Sequence, residues 1–178
     1  MTVKFNKTKP GLAAGIGRVQ AFWREGKYQQ ALNEVNDLVR NWADNPRLLV
    51  MRACLIQLQD NESGPSLEDA KADLQRAILL DDQSPSPLVE LAHFQLAVED
   101  NPRVACKTFE RVANLTRVLL KEALLGQADA LSELDRRQEA LARLVEAFSI
   151  HSHKGNSHPQ PDEEEILERL DALKNTRW

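Results

Sequence analysis

The sequence predicts an all-α protein, a right-handed α-solenoid of about four antiparallel helix pairs followed by a C-terminal capping helix. The first observation is a pattern that occurs four times, an alanine followed by apolar residues four and seven positions later. The second is composition, since Ala, Leu, Glu, Arg and Gln dominate and all favour helices. The third is the placement of Pro, Gly and Asp residues between the apolar stretches, where they end helices.

The four copies of the pattern are almost evenly spaced. The alanines are 39, 35 and 35 residues apart, and a fixed period of this size is typical of stacked helical hairpins. Residues at i, i+4 and i+7 share one helix face, so the alanine admits a neighbouring backbone while the larger residues fill the space beside it. The copies are Ala31-x3-Val35-x2-Leu38, Ala70-x3-Leu74-x2-Ala77, Ala105-x3-Phe109-x2-Val112 and Ala140-x3-Leu144-x2-Ala147.

Turn residues delimit the first four predicted helices. Gly26-Lys27 ends the first, and Asn45-Pro46 ends the second because the residue before a proline avoids helical geometry. A polar insertion at 60–65 ends the third and accounts for the longer first spacing. Ser66 and Asp69 resemble a capping box at the start of the fourth. The predicted bounds are about 11–25, 28–42, 47–59 and 67–80.

Five further helices are predicted after residue 86. Ser86 is the expected N-cap of the fifth, with Pro87 at its first position, and Asn101-Pro102 begins the sixth in the same way. Asp135-Arg136 separates the seventh from the eighth. The acidic run 162–165 begins the ninth, where the helix dipole favours negative charge. The predicted bounds are about 87–98, 102–115, 118–134, 137–150 and 162–178.

The predicted organisation has four parts. A flexible arm (1–10) precedes a helical repeat domain (11–150), a polar linker (151–161) and a capping helix (162–178). The last helix carries apolar residues on one face and charges elsewhere, as the end of an open stack requires for solubility. Its apolar residues are Ile166, Leu170 and Leu173.

Composition limits the classes of function. The 178 residues are 42% hydrophobic and 28% charged, which suits one compact array. A net charge of −4 disfavours a free-standing, non-specific nucleic-acid binder. No stretch approaches the roughly 18 uninterrupted apolar residues of a membrane span, and the apolar run 11–17 is too weak for a signal peptide. We therefore expect a cytoplasmic protein that neither spans a membrane nor binds nucleic acid.

Over residues 12–150 the chain resembles the tetratricopeptide repeat (TPR) family. That family has two antiparallel helices in about 34 residues, with Ala-x3-Phe-like spacing in the second helix. The segment Gly26-Lys27-Tyr28-x2-Ala31 is similar to the turn and second-helix opening of the family. The turn glycine is present only there, and Asp60, Asp100 and Asp135 stand in the other turns. The small position of the first helix is occupied by Val19, Ala53, His93 and Ala128.

The resemblance implies a concave groove, lined by the first helix of each pair, that takes a peptide or a helix. The groove is expected to be basic at its N-terminal end and acidic towards its C-terminal end. Trp23 and Phe94 are the expected partner anchors, with packing in the core as the alternative. Family members that clamp a C-terminal carboxylate use a Lys, Asn and Arg set that this groove lacks. The groove residues are Gln20, Trp23, Arg24, Arg47, Cys54, Gln57, Glu90, Phe94, Asp129 and Glu133.

The remaining residues that carry reactive chemistry have simpler interpretations. The linker holds three histidines, His151, His153 and His158. Imidazoles suit zinc, but the Gly-, Ser-, Asn- and Pro-rich context favours solvated loop histidines. His93 is expected to be a hydrogen-bonded core histidine, and Cys54 and Cys106 are expected to be buried free thiols. No metal, cofactor or catalytic arrangement has supporting context, so we do not expect an enzyme.

The sequence therefore predicts a non-enzymatic adaptor or scaffold, a monomer or weak homodimer, that binds a peptide or helical segment of another protein. A rigid surface need not order itself on binding, so moderate contacts suffice. Two alternatives stay open. One is a self-associating structural repeat protein in which Ile166, Leu170 and Leu173 meet another subunit. The other is a chaperone of this repeat type for a secreted or assembling partner.

Overall fold

The regular elements of the protein are α-helices throughout the residues that the computed structural model describes, which are 11–59, 64–150 and 161–175. The predicted all-α class is confirmed. The predicted arm 1–10 and residues 151–160 of the predicted linker lie outside the described residues. The eight helices are α1 Leu12–Arg24, α2 Tyr28–Asn41, α3 Pro46–Gln57, α4 Leu67–Leu80, α5 Pro85–Ala97, α6 Pro102–Glu133, α7 Arg137–Ser149 and α8 Pro161–Asn175.

The chain divides into two compact units, Met1–Phe109 and Glu110–Trp178, and the division falls inside the segment 11–150 that the sequence predicts as one repeat domain. In the first unit α1 packs against α2, and α3 packs against α4. Further contacts join α2 to α3, α4 to α5, and α3 to α5. Each helical hairpin therefore buries its flank against the next, as a repeat array requires.

The alanines of the recurring pattern are core residues. Ala31, Ala70 and Ala140 are 0% exposed, and Ala105 is 1% exposed. In the first, second and fourth copies, the two apolar residues after the alanine are at most 1% exposed. In the third copy, Phe109 is only half-buried. The small-then-large spacing thus marks the packed face of each second helix, and the third copy packs differently from the others.

Three of the turns that join consecutive helices share one backbone conformation. Gly26, Asp100 and Asp135 have positive φ angles of 71°, 48° and 57°. In the turns at Gly26 and Asp135, the N–H of the following residue donates to a carbonyl five residues earlier at 2.9 Å, the bond of a Schellman motif. Glycine adopts this conformation freely, whereas aspartate adopts it at a cost. Asp100 and Asp135 thus take the place of the turn glycine, whereas Asp60 lies outside the described residues.

Side-chain caps begin several helices. Asn45 accepts the N–H of Leu48 at 3.2 Å at the start of α3. The predicted capping box of α4 is confirmed, since the Ser66 hydroxyl accepts the N–H of Asp69 while the Asp69 carboxylate accepts the N–H of Ser66. These bonds satisfy backbone donors that would otherwise lack partners in the first helical turn.

The predicted start of α5 was two residues too late. The helix begins at Pro85 with Ser84 as its N-cap, instead of at Pro87 after Ser86. Both Ser-Pro pairs suit a helix start, because the fixed φ of proline fits the first position and its missing N–H costs nothing there. The chain uses the earlier pair, so Pro87 lies within the first turn and is buried.

The predicted helix break at 116–117 was wrong. Helix α6 runs without interruption for 32 residues, where two helices, 102–115 and 118–134, were predicted. No Pro or Gly lies at the predicted break, and the Thr116 hydroxyl donates to the carbonyl of Val112 at 2.9 Å within the helix. A continuous helix does not reverse direction, so the described residues form eight helices instead of nine.

Two ion pairs fix the hairpins of the first unit. Arg52 of α3 donates to both carboxylate oxygens of Asp73 of α4, whose side chain is 6% exposed. Arg18 of α1 pairs with Glu34 of α2 at 2.5 Å. The two-pronged guanidinium contact satisfies a carboxylate that would be costly to bury alone. Each pair joins the two helices of one hairpin and so sets their register.

In the second unit, α8 packs as the predicted capping helix. Ile166 is 0% exposed and Leu170 is 8% exposed, while Glu164 and Glu168 face solvent. In the alternative, Ile166, Leu170 and Leu173 meet another subunit. For Ile166 and Leu170 this is wrong, because both are buried within their own chain, and the side chain of Leu173 lies outside the described residues. The core of this unit comprises Leu124, Ala128, Leu144, Ala147, Ile166 and Leu170.

Gly15 provides a test of the close contact between α1 and α2. A Cβ built at Gly15 overlaps the Cδ2 of Leu38, whose side chain is 1% exposed and has little room to move. We expect Gly15→Ala to lower the free energy of unfolding by about 1–3 kcal/mol. Gly17 is the matched control, since a Cβ there meets nothing within 4 Å. Gly17→Ala should raise the stability by about 0.5–1 kcal/mol. Urea unfolding measures both, and equal effects would contradict the close contact.

The turn at Asp135 provides a second test. Asp135→Gly removes the cost of a side chain at positive φ and should stabilise the protein by about 0.5–1 kcal/mol. Asp135→Ala is the control, because alanine keeps a Cβ and lacks the tolerance of aspartate for this conformation. Thermal unfolding followed by circular dichroism measures both variants. An alanine variant as stable as the glycine variant would show that the backbone conformation is not the cause.

Candidate functional site

The outward side of α3 differs from the outward side of α4. On α3 the residues beside the fully buried positions are half-buried, namely Val50, Met51, Cys54 and Gln57, and the first two pack against the core. On α4 the corresponding residues are exposed, namely Glu68, Ala72, Gln75 and Leu79. Helix α3 packs against three neighbours, α2, α4 and α5, whereas α4 packs mainly against α3 and α5. The first helices of the hairpins thus present a more enclosed surface than the second helices.

We call this surface the first-helix face and define it by half-buried or exposed residues of α1, α3 and α5. Six of the predicted groove residues on it come from α1 and α3, and Glu90 comes from α5. Met51 was not predicted, although its position one turn from both Arg47 and Cys54 already placed it on the same side of the helix. The first-helix face comprises Gln20, Trp23, Arg24, Arg47, Met51, Cys54, Gln57 and Glu90.

Cys54 and Glu90 are brought together by the packing of α3 against α5. The Cys54 thiol donates to a carboxylate oxygen of Glu90 at 3.4 Å. Burial, and after it the negative charge of Glu90, raises the pKa of the Cys54 thiol to about 12. The thiol is therefore protonated at neutral pH and lacks the thiolate that nucleophilic or metal-binding cysteines need.

The other residues of the first-helix face differ in their exposure and in their contacts. Trp23 is half-buried and packs against the core of the first unit, whereas Arg24 and Arg47 are exposed. The Gln57 amide donates to the carbonyl of Ala53 within its own helix at 3.2 Å. The face therefore combines apolar surface held in place by the core with charged groups that remain solvated.

The prediction of Phe94 as a partner anchor is corrected. Its side chain is 2% exposed and belongs to the core of the first unit, with Leu91 beside it. Helix α5 is apolar on several sides, so its sequence does not distinguish the packed side from the open side. The ring stabilises the stack from within and is not presented to a partner.

Asp129 and Glu133 lie in the second unit. Both carboxylate oxygens of Asp129 accept bonds from the Arg169 guanidinium of α8 at 2.8 Å. Glu133, the last residue of α6, is exposed. The expected acidic end of a groove is thus partly neutralised, since the charge of Asp129 is matched by the capping helix.

Two further predictions are corrected by exposure. His93 is an exposed residue, and its ring packs edge-on against Phe109 with centroids 5.1 Å apart. Cys106 is exposed, whereas Cys54 is half-buried, and neither forms a disulfide. The sequence pattern predicts correctly that His93 and Cys106 lie on helices. It does not show that the side of the third hairpin that carries His93 is exposed. The histidines at 151, 153 and 158 lie outside the described residues.

The described part of the chain holds no group of three or more His, Cys, Asp or Glu residues placed to hold a metal ion. None of its helices combines the length and the apolar character needed to cross a bilayer. A shallow depression of about 340 Å³ lies beside the first hairpin turn, apart from the predicted groove residues. It is lined by Gly26, Lys27, Tyr28, Gln29, Gln30, Leu58 and Gln59.

The fold and this face define the class, an all-α protein built of stacked helical hairpins. No protein-family model matches the chain, and no curated protein matches it. Thirteen chains of solved structures do match. One is the human IFIT1 dimer with PPP-AAAA, which is similar at a TM-score of 0.46 and 13% identity over 87% of this chain. The match spans 37% of that chain, and a likeness of this size carries no statement about ligands.

The protonated state of Cys54 is testable by its reactivity. At pH 8 its thiolate fraction should be at least about a hundredfold below that of an ordinary thiol. In the Cys106→Ser variant, which retains only Cys54, we expect a thiol reagent to react at least about a hundredfold more slowly than in the Cys54→Ser variant. The Cys54 rate should rise about tenfold per pH unit between pH 7 and 10. Equal rates for the two variants would contradict this.

Glu90→Gln separates the two causes of the raised pKa. Because burial is the larger cause, this variant should react only somewhat faster than its parent. Folding raises the pKa of the Cys54 thiol above its ordinary value of 9.0. The protonated thiol therefore contributes stability to the folded protein below pH 9, and this contribution is lost as the pH rises from 9 towards 12. Urea unfolding at pH 8 and pH 10 should show a smaller decline in Cys54→Ser than in the parent.

Proposed function

We propose that the protein is a non-enzymatic, cytoplasmic adaptor of the TPR type that binds a segment of another protein on the first-helix face. The observation that supports this most directly is the half-buried outward side of α3. Its residues already lie beside neighbouring helices, so a bound segment would cover them with little loss of conformational freedom. A helix or an extended segment is the occupant that such a rigid helical surface suits.

The chemistry of the face specifies the kind of segment. Trp23 and Met51 offer apolar surface backed by the core. Arg24 and Arg47 are exposed cations, and neither takes part in an ion pair that the structure describes. We infer a segment with at least one large apolar side chain and with acidic residues beside it, since opposite charges steer association and fix orientation.

The proposal is tested by replacing one glutamine on each side of the stack. Peptides are first selected on the immobilised protein from a display library of random segments, and their affinities are then measured by fluorescence anisotropy. Gln57→Glu places a carboxylate on the first-helix face, where it repels the acidic residues of the bound segment, and should weaken the recovered peptides at least about tenfold. The matched control is Gln75→Glu on the exposed side of α4, which should change affinity less than about twofold.

Gln57 is preferred to Trp23 as the test position. Trp23 packs against the core, so its loss would destabilise the protein as well as the face. Circular dichroism should show equal helicity for both glutamine variants. Recovery of no peptide by the wild-type protein, or equal weakening by the two variants, would refute binding on this face. Peptides weakened only by Gln75→Glu would place the binding surface on the second helices.

A further inference from the structure

The third hairpin leaves open a flank that the other hairpins bury. Twelve residues before the pattern alanine, the first and fourth repeats have Val19 and Ala128, which are 0% and 1% exposed. The third repeat has His93 at this position, and His93 is exposed. The side chain four residues after the alanine behaves in the same way. It is buried in the other three repeats, but in the third repeat Phe109 is half-buried.

This flank is largely apolar, and two of its side chains contact each other. The rings of His93 and Phe109 meet edge to face at 77°. Leu96, one turn further along α5, is 45% exposed. In the second hairpin the equivalent side is covered by α5, so that Leu74 and Ala77 are 0% exposed. The flank defined by His93, Leu96 and Phe109 therefore continues an interface that the first unit already uses.

The repeat pattern indicates what should cover this flank. In each earlier step the cover is the first helix of the following repeat, which in this register is residues 118–133. That stretch of α6 carries a row of small residues at i, i+3 and i+7, formed by Ala123, Gly126 and Ala130, and all three are exposed. A Cβ added at Gly126 would meet nothing within 4 Å.

The two surfaces differ in side-chain size. One presents two rings and a leucine, and the other presents two alanines and a glycine. Large residues that insert between small ones give the density of a protein core. Because α6 does not reverse at 116–117, the hairpin that the repeat pattern predicts there is not formed.

We propose that a second copy of this chain covers the flank with the row of small residues on its α6, and that it receives the same contact in return. Such reciprocal exchange of an identical element is a common route to two-fold dimers, and a connection that becomes a straight helix is the feature that permits it. Each dimer contains two copies of this contact, and together they form one interface. This surface is separate from the first-helix face.

Light scattering and sedimentation equilibrium on the full chain test the proposal, at concentrations across about 1–300 µM. The wild-type protein should be a reversible dimer. Leu96→Arg should raise the dimer dissociation constant at least about tenfold. The matched control is Leu79→Arg on α4, where the side chain is 86% exposed. This variant should change the dimer dissociation constant less than about twofold. A wild-type monomer at the highest concentration, or equal effects of the two arginines, would overturn the proposal.

Gly126→Leu tests the other surface without endangering the fold. The new side chain has space in the monomer and favours helix, yet it fills the row of small residues. We expect unchanged or higher thermal stability together with at least about tenfold weaker dimerisation. A dimer of unaltered affinity would show that this row is not in the interface, and the proposal would fail.

Isotope-mixed cross-linking tests the exchange itself. A photoreactive benzoylphenylalanine in place of Leu96 is incorporated into an unlabelled copy, which is mixed with a ¹⁵N-labelled copy. The expected product joins position 96 of the unlabelled chain to the labelled peptide 122–136. Cross-links within one chain only, or labelled products elsewhere on the partner, would overturn the proposal.

Discussion

The closest approach of paired helices depends on small residues at the points of contact. Ala31, Ala70 and Ala140 have no accessible surface, and Gly15 lies against Leu38 where even one methyl group lacks space. A short distance between helix axes brings the larger side chains beside each alanine into contact, and this burial contributes about 1.5–3 kcal/mol for each large side chain. Turns, caps and ion pairs then fix which residues meet, because a shifted hairpin would place a bulky residue at the contact.

The same packing determines which surface is available for binding. Each hairpin uses part of its first helix to bury the flank of its neighbour, and the remaining side of α3 stays accessible but enclosed. The ion pair between Arg52 and Asp73 fixes α3 on the side that faces α4. On the outer side of α4, residues such as Gln75 are exposed. Stability and a preorganised face thus follow from one arrangement.

Sequence periodicity predicted those features that depend on one helix at a time. The buried alanines, the capping box at Ser66 and the aspartates in place of turn glycines all follow from local spacing and backbone preference. Features that depend on neighbouring helices were missed. Phe94 lies on a helix that is apolar on several sides, so the sequence does not say which side is covered. The contacts of Arg52 and Cys54 join residues more than twenty positions apart.

Helix α6 shows a competition between repeat period and local preference. The repeat period favours a turn near Thr116, yet no residue there disfavours a helix. A reversal of the chain would break helical hydrogen bonds. It would also place a residue at positive φ, which costs about 1–2 kcal/mol. In return a reversal would bury Phe109 and its neighbours, and each large side chain is worth a comparable amount. The cost of the positive φ and the gain from burying one large side chain are therefore of comparable size. Cover supplied by a second chain keeps the helical hydrogen bonds and also buries the flank, so association gives both gains at once.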